Sequence, residues 1–448
     1  MSALFLPHRP WQCAVDDALA SQALRVAEDV ARRLRDRDAL LAANEAARAQ
    51  THFPKTIYWE PWGVAQGDAG LALACAYFDR CFPGEEWDRI GHAYLGFATQ
   101  ALEGARGMPL GLLAGLAGLA FSTRALSGGN DRHRALLESL DAHLCGNVLT
   151  PVAALSGKHG VAVSEFDLIS GLSGIAAYLL YRGLDPPGDV ALYAILDALV
   201  ALTEANDDVP HWYTPPHLLA GAGMVEHYPQ GNLNCGLAHG IPGPLAVMAL
   251  ALEAGISVDA LEEALRRTAD WLVRHRSRDE YGVNWPTVVP YRPGGQMGSG
   301  DLDSSRAGWC YGAPGVARAL FLASRALREP MLGEIALEAM EAVYRRPIPM
   351  RRIDSPTFCH GVAGLLQITV RFAHDTGIAM FNEAATALTE QLLALYEPQR
   401  RLGFCCIEPE GNRVDQPGLL DGAPGVVLAL LAAATSIEPT WDRLFLLS

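Results

Sequence analysis

A Gly-x-x-Gly motif followed by an apolar, nearly uncharged run occurs seven times in this 448-residue chain. The first glycines are Gly67, Gly115, Gly171, Gly240, Gly312, Gly361 and Gly422, spaced 48 to 72 residues apart. That period holds two helices with their loops, and self-similarity of this kind marks a repeat architecture. Runs such as Gly174-Ile-Ala-Ala-Tyr-Leu-Leu carry no polar stripe, and a helix that is apolar all round is buried all round. The segments between them differ. In Val258–Arg276, Leu261, Ala264, Leu265, Ala269 and Leu272 recur at helical spacing with charges between them, the pattern of a helix with one wet face. Ala23–Arg35, Trp87–Leu102, Arg132–Leu144, Asp189–Glu204, Met331–Arg345 and Asn382–Tyr396 read the same way.

Seven buried helices alternating with seven amphipathic ones predict an all-α fold. It is an α/α toroid, a double ring of seven inner and seven outer helices, forming a single domain over residues 1–448. An open solenoid would need a polar binding face on its inner helices. The glycines then serve tight turns and close packing at the inner-helix N-termini. Pro242, Pro314 and Pro424 fall where a first-turn proline is tolerated. A phosphate loop is excluded by the seven copies and by the absence of Gly-Lys-Ser/Thr. Three longer interruptions, 147–165, 206–237 and 278–308, are expected to hold small β-containing insertions, the first as a hairpin. All three lead into an inner helix, so they should crown the same end of the ring as the glycine motifs.

Composition narrows the function classes. The net charge of −15, from 35 basic and 50 acidic residues, argues against nucleic acid or an anionic membrane as partner, since both need clustered Lys and Arg. Nine cysteines scattered without a dense framework suit a reducing compartment, where they act as buried thiols, metal ligands or catalysts. No apolar stretch is long enough to span a bilayer. A cytoplasmic protein without a transmembrane segment is expected.

If every inner helix starts at one end of the ring, residues just before each motif converge there, and their offsets from the first glycine are comparable. Cys310 and Cys359 stand at minus two in repeats five and six, and His360 at minus one in repeat six. Two cysteines and a histidine from neighbouring repeats, with a fourth position open, are the donor count of a catalytic zinc site. Cys75, Cys81 and Cys145 lie in helical stretches and read as small core hydrophobes. Cys235 and the Cys405-Cys406 pair are rivals, the latter in a different register. His239, at minus one in repeat four, is either a general acid–base or a histidine hydrogen-bonded at a helix start. Asp167, at minus four in repeat three, either orients such a histidine or caps a helix. Arg306 either stabilises a developing anion or pairs with Asp301 or Asp303.

The motifs Asn234-Cys-Gly-Leu-Ala-His239-Gly-Ile-Pro-Gly, Ser305-Arg306-Ala-Gly-Trp309-Cys310-Tyr311-Gly and Cys359-His360-Gly-Val-Ala-Gly resemble those of the lanthipeptide cyclases. So does Phe166-Asp167-Leu-Ile-Ser-Gly-Leu-Ser-Gly, and with the seven repeats the resemblance covers nearly the whole chain. It implies a toroid with one zinc ion per chain, held by Cys310, Cys359 and His360. It implies His239 as acid–base, Asp167 and Arg306 beside it, and Trp309 and Tyr311 as substrate-binding residues at the mouth. The implied reaction adds precursor-peptide cysteine thiols to dehydroalanine or dehydrobutyrine and closes thioether rings. The implied partners are a dehydrated precursor peptide (leader plus core), a separate dehydratase and an export transporter, whose complex would bring the protein to the membrane periphery. The sequence resembles the stand-alone type, lacking a large N-terminal dehydratase region. An alternative keeps the zinc and adds thiols such as glutathione to other acceptors. Protein prenyltransferases also put zinc on an α/α toroid, but with a carboxylate in place of one cysteine. A structural zinc scaffold would need a fourth protein ligand in register, and a toroidal glycosidase would need paired carboxylates at the mouth.

Overall fold

The structure is a computed structural model that describes residues 9–105, 107–183, 186–292 and 305–448. The Gly/Ser/Asp-rich stretch expected in the third insertion, with Asp301 and Asp303, lies outside the described residues. The chain folds as an α/α toroid. The inner helices are Asp68–Cys81, Leu116–Leu126, Leu172–Arg182, Pro242–Glu253, Ala313–Leu327, Val362–Thr376 and Ala423–Ala434. Each packs on the next, and the last returns to the first. Outer helices Trp87–Gln100, Arg134–Leu155, Pro186–Leu202, Leu261–Arg274, Pro330–Arg345 and Ala379–Ala394 each cover the inner helix before them. The seventh outer helix, Asp17–Arg33, covers the seventh inner helix instead. The N-terminal segment thereby laps over the C-terminal repeat, with Trp11 Nε1 donating to the Ala432 carbonyl at 3.0 Å and Ala14 N to Ala433 at 2.9 Å.

The glycine motifs form a continuous rim. Residues at minus two, with Leu168 at minus three in the third repeat, bond to one another around the ring through their backbones. Leu420 N donates to Ala65 O (3.2 Å), Ala65 N to Leu113 O (3.0 Å) and Leu113 N to Ile169 O (3.1 Å). Leu168 N donates to Ala238 O (3.1 Å) and Ala238 N to Cys310 O (3.3 Å). Cys310 N donates to Cys359 O (3.1 Å) and Cys359 N to Leu420 O (3.0 Å), which closes the circle. The second glycine of each motif lets repeats approach this closely. A Cβ on Gly315 would stand 2.8 Å from Leu237 Cβ, and one on Gly364 would stand 3.1 Å from Trp309 Cβ.

Two of the three insertions contain strands. Ala205–Asn206 pairs with Val209–Pro210, and Ser277–Asp279 with Gly282–Asn284. Asn232–Asn234 of one insertion pairs with Val288–Pro290 of the other, so the two join over the fourth and fifth inner helices. The expected hairpin at 147–165 is absent. Residues 147–155 continue the helix Arg134–Leu155 through Pro151, and Val163–Phe166 is a further helical turn. Leu140, Leu144, Val148, Val152 and Leu155 keep a buried face at helical spacing, and that packing outweighs both the β-branched composition and the proline. Two other elements were not anticipated: the helix Arg37–Gln50 and the strand pair Cys406–Ile407 with Arg413–Val414.

The ring's centre is filled from within. The 3-10 helix Thr440–Phe445 and the residues after it touch inner helices around the ring. Trp441, Leu444, Phe445, Leu446 and Leu447 are buried. Inner-helix polar groups meet this segment. Asp442, 0 % exposed, accepts from Arg371 Nε (2.5 Å) and Nη2 (2.8 Å) and from Gln367 Nε2 (2.7 Å). Arg318 donates to the Leu447 carbonyl and pairs with Asp375 at 2.7 Å. Breaking one partner of a buried ion pair strands the other charge and costs about 3–5 kcal/mol. Asp442→Ala is therefore expected to lower unfolding stability by about that amount. Adding Arg371→Met should recover part of the loss, giving a non-additive double-mutant cycle in urea denaturation; strictly additive losses would refute the coupling.

Candidate metal centre

The rim bond between Cys310 N and Cys359 O sets the two cysteines side by side, and their thiols join His360 in one cluster. One donor atom from each of Cys310, Cys359 and His360 lies within 4.8 Å of the others. Cys310 is buried, and Cys359 and His360 are half-buried. Two glycines permit the geometry. Gly312 has φ +94°, and a Cβ there would stand 1.6 Å from the Arg306 carbonyl oxygen, so the turn leading from Arg306 through Cys310 excludes any other residue. Gly308 lies against the backbone of His360, 3.2 Å from its Cα to where a Cβ would be.

The electrostatics match a metal-accepting set. The Cys359 thiol is pushed well above the ordinary cysteine range, by its hydrogen bond with Cys310 and then by burial. Burial lowers His360, against the pull of Asp421, and raises Asp421 in turn. Both groups of that pair are thus driven toward neutrality. A neutral imidazole is the ligating form. His360 Nδ1 faces Asp421 Oδ1 at 3.5 Å, with no hydrogen bond formed between them, on the side where metal-bound histidines generally find a carboxylate. Two adjacent hydrogen-bonded cysteines, with a neutral imidazole facing the buried Asp421, fit a thiophilic ion such as zinc. The cluster opens on a cavity of about 580 Å³ lined by Arg306, Arg352, Cys406, Glu408 and Asp421 among others.

The other expected residues fall into three groups. His239 and Asp167 come together, with Nδ1 2.6 Å from Oδ2. Asp167 Oδ1 also accepts from the Ser170 and Gly171 amides at 2.8 Å each; these lie ahead of the helix Leu172–Arg182, whose N-cap is Gly171 without a side-chain bond, so Asp167 faces His239 and braces the glycine turn rather than capping the helix. Tyr311 lies beside them, its ring 6.3 Å from that of His239 and its hydroxyl 3.1 Å from Asn234 Nδ2. Arg306 lines the cavity with Cys359 and His360. Trp309 does not reach the cavity. It is 0 % exposed, its indole N–H donates to the Phe445 carbonyl at 3.1 Å, and it packs edge-on to Phe445. Its place as a substrate-binding residue is corrected to a core contact below the rim. Asp421 and Cys406 are the residues that sequence reasoning undervalued. Asp421 shares the minus-one offset of His239 and His360 and could have been read from it. Cys406, its thiol pushed up to about 12 by burial, stands on a strand pair outside the repeat register.

Comparison with known proteins agrees with this architecture. A nisin cyclase structure superposes with a TM-score of 0.74 over 90% of this chain and 96% of its own, at 24% identity. The Nisin biosynthesis protein NisC of Lactococcus lactis subsp. lactis is 27% identical over 340 residues, 75% of this chain and 77% of that protein. The family model for lanthionine synthetase C-like proteins matches residues 58–446, from just before the first glycine motif to the axial segment. The chain belongs to the lanthionine synthetase C-like family.

Proposed function

We propose that this protein is a zinc-dependent lanthipeptide cyclase. It would close (methyl)lanthionine rings by adding cysteine thiols of a precursor peptide to dehydroalanine or dehydrobutyrine. One observation carries the reading: two cysteines and a histidine from adjacent repeats present their donors within 4.8 Å of one another, with Cys359 and His360 lining an open cavity and Cys310 buried beside them. Cys310, Cys359 and His360 would hold the ion, with Asp421 fixing His360. Zinc bound there would supply a substrate thiol deprotonated at neutral pH, where a free thiol is mostly protonated.

The protein's own groups account for the remaining work. Attack of sulfur on the β-carbon forms the carbon–sulfur bond and leaves an enolate that needs a proton at the α-carbon. His239, paired with the buried carboxylate of Asp167 at 2.6 Å, can hold that proton as an imidazolium and deliver it. Arg306 places a fixed positive charge beside the cavity, suited to the developing enolate oxygen. Tyr311, tied to Asn234, lines the approach to His239. Substrate would be a precursor peptide already dehydrated by a separate enzyme, with a transporter consuming the product; this places the protein in the cytoplasm, within reach of the membrane.

Two experiments test the reading. Zinc content should fall from about one ion per chain to near zero in Cys310→Ala. In Asp421→Asn, affinity measured by chelator competition should fall about 10–100-fold. Unchanged metal content in Cys310→Ala would remove the ligand set. With a dehydrated precursor peptide, His239→Asn should slow ring closure by about 10²–10⁴-fold at full zinc occupancy. Asp167→Asn keeps the acceptor for Ser170 and Gly171, so it should slow cyclisation while leaving thermal stability nearly unchanged. Wild-type cyclisation by His239→Asn would sink the proton-donor role. Turnover of small thiols with non-peptide acceptors, but not of the peptide, would favour the glutathione-type alternative.

A further inference from the structure

A second cavity, of about 300 Å³, lies at the other end of the ring. Its walls are the C-terminal turns of the first three inner helices together with Thr440 and Trp441. The first inner helix has 14 residues, so about 20 Å separates this cavity from the rim. Its lining is aromatic and cationic. Tyr77, Tyr181 and Trp441 form apolar faces, and Arg80 and Arg124 stand among them. Arg443, which lines an adjoining cavity that shares Tyr181, has its guanidinium 5.6 Å from that ring's centre. Arg124, Arg443 and Arg80 are all electrostatic neighbours of the Tyr181 phenol, which burial raises.

Three features make this more than a basic patch. First, the chain carries a net charge of −15, and its fully buried arginines are matched, Arg318 with Asp375 and Arg371 with Asp442, whereas Arg124 and Arg443 are half-buried and Arg80 is exposed. Among the described residues, Arg80, Arg124 and Arg443 have no carboxylate at ion-pair distance. Second, the Nε–H of Arg124 is buried without a hydrogen-bond partner. Third, the indole N–H of Trp441, a residue only 2 % exposed, is buried and unpartnered as well. Orphaned buried donors are rare and costly. Here two of them line one cavity together with uncompensated positive charge, and both lack the same thing, an acceptor.

We propose that this cavity is a binding site for a compact phosphoryl-bearing anion, such as pyrophosphate or a phosphate monoester. Guanidinium forks match phosphoryl oxygens in geometry as well as charge. The two orphaned N–H groups would be satisfied by the same oxygens, and the aromatic walls would cover the rest of the ligand. A simpler role for Arg80 and Arg124 exists, since both sit in the last turn of an inner helix, where a cation offsets the helix dipole. That role predicts no affinity for anions and leaves the two buried donors unexplained.

The test is calorimetry on the full-length, metal-loaded protein with pyrophosphate, inorganic phosphate and citrate in turn, and Trp441 fluorescence as a local reporter. Saturable binding of pyrophosphate at one site per chain is expected. Arg124→Gln should weaken it about tenfold or more, and Arg443→Gln, beyond the shared Tyr181, should weaken it less. Arg124→Lys keeps the charge but loses the buried Nε–H, so it should also bind more weakly and guards against a folding defect in the glutamine variant. Zinc content should stay at the wild-type level in all three variants. Absence of saturable binding would leave the arginines as dipole partners, and unchanged affinity in the variants would put the anion elsewhere; either result overturns the site. Citrate binding more tightly than pyrophosphate would overturn the phosphoryl assignment.

Discussion

The closed belt of backbone hydrogen bonds at the inner-helix starts is the constraint on which the rest of the molecule depends. Each link joins neighbouring repeats at or next to the residue two places before the first glycine, from Leu420 and Ala65 around to Cys310, Cys359 and Leu420 again. A helix start leaves its first amides without intrahelical partners, and here the chain just ahead of each helix spends its own amide on the next repeat. One such bond contributes only about 0.5–1.5 kcal/mol net. Its geometric effect is larger, because it fixes the register between repeats that share no sequence contact. The glycines are the condition for it: a side chain on Gly315 or Gly364 would hold the repeats apart. Cys310 and Cys359 therefore meet because every pair of rim residues meets, and only their side chains are special.

Below the belt, the inner helices face one another across a space that seven helices cannot fill alone. The segment from Thr440 onward fills it, and the side chains that receive it break the apolar rule of the inner ring. Arg318, Gln367 and Arg371 point into the axis and bond to Leu447 and Asp442. Trp309 and Phe358, each just before a rim residue, turn downward onto Phe445. This explains how adjacent positions diverge in role. Trp309 serves the axial core, whereas Cys310 joins Cys359 and His360 in the rim cluster. Buried ion pairs of this kind add little net stability against apolar packing, but they penalise any misplaced segment heavily.

The ring, the seven-plus-seven alternation and the Cys310–Cys359–His360 cluster were legible because repetition converts sequence offset into position. Asp167 and His239 were legible for the same reason, and their 2.6 Å contact joins repeats three and four as the offsets imply. What could not be read lies outside the register. The helix through 147–155 was obscured by Pro151 and β-branched residues, whose local preference is weaker than a continuous buried face. Trp309 carried the right offset, but offset gives height along the ring axis and not the direction of a side chain. The strand pair bearing Cys406 depends on short two-residue strands, which leave almost no periodic signal.

The strand pair bearing Cys406 and the loop after Arg37–Gln50 form part of the wall of the candidate metal cavity. Glu408 ties that wall together. It accepts from the His52 amide at 3.1 Å, from Asn412 Nδ2 at 2.6 Å and from the Thr51 hydroxyl. The loop after Arg37–Gln50 is thereby clamped to the strand pair 406–414, with Phe53 and Glu410 on the cavity's edge. In the proposed loaded state, two thiolates would cancel a divalent ion's charge. The field felt by a substrate would then come from Arg306 and Arg352 and from Asp354, Glu408 and Glu410, which line the same cavity. The division of labour follows from the fold. The belt supplies a donor set that any member of the ring architecture could carry. Choice among substrates is left to loops that the belt does not control, where sequence can vary without disturbing the register.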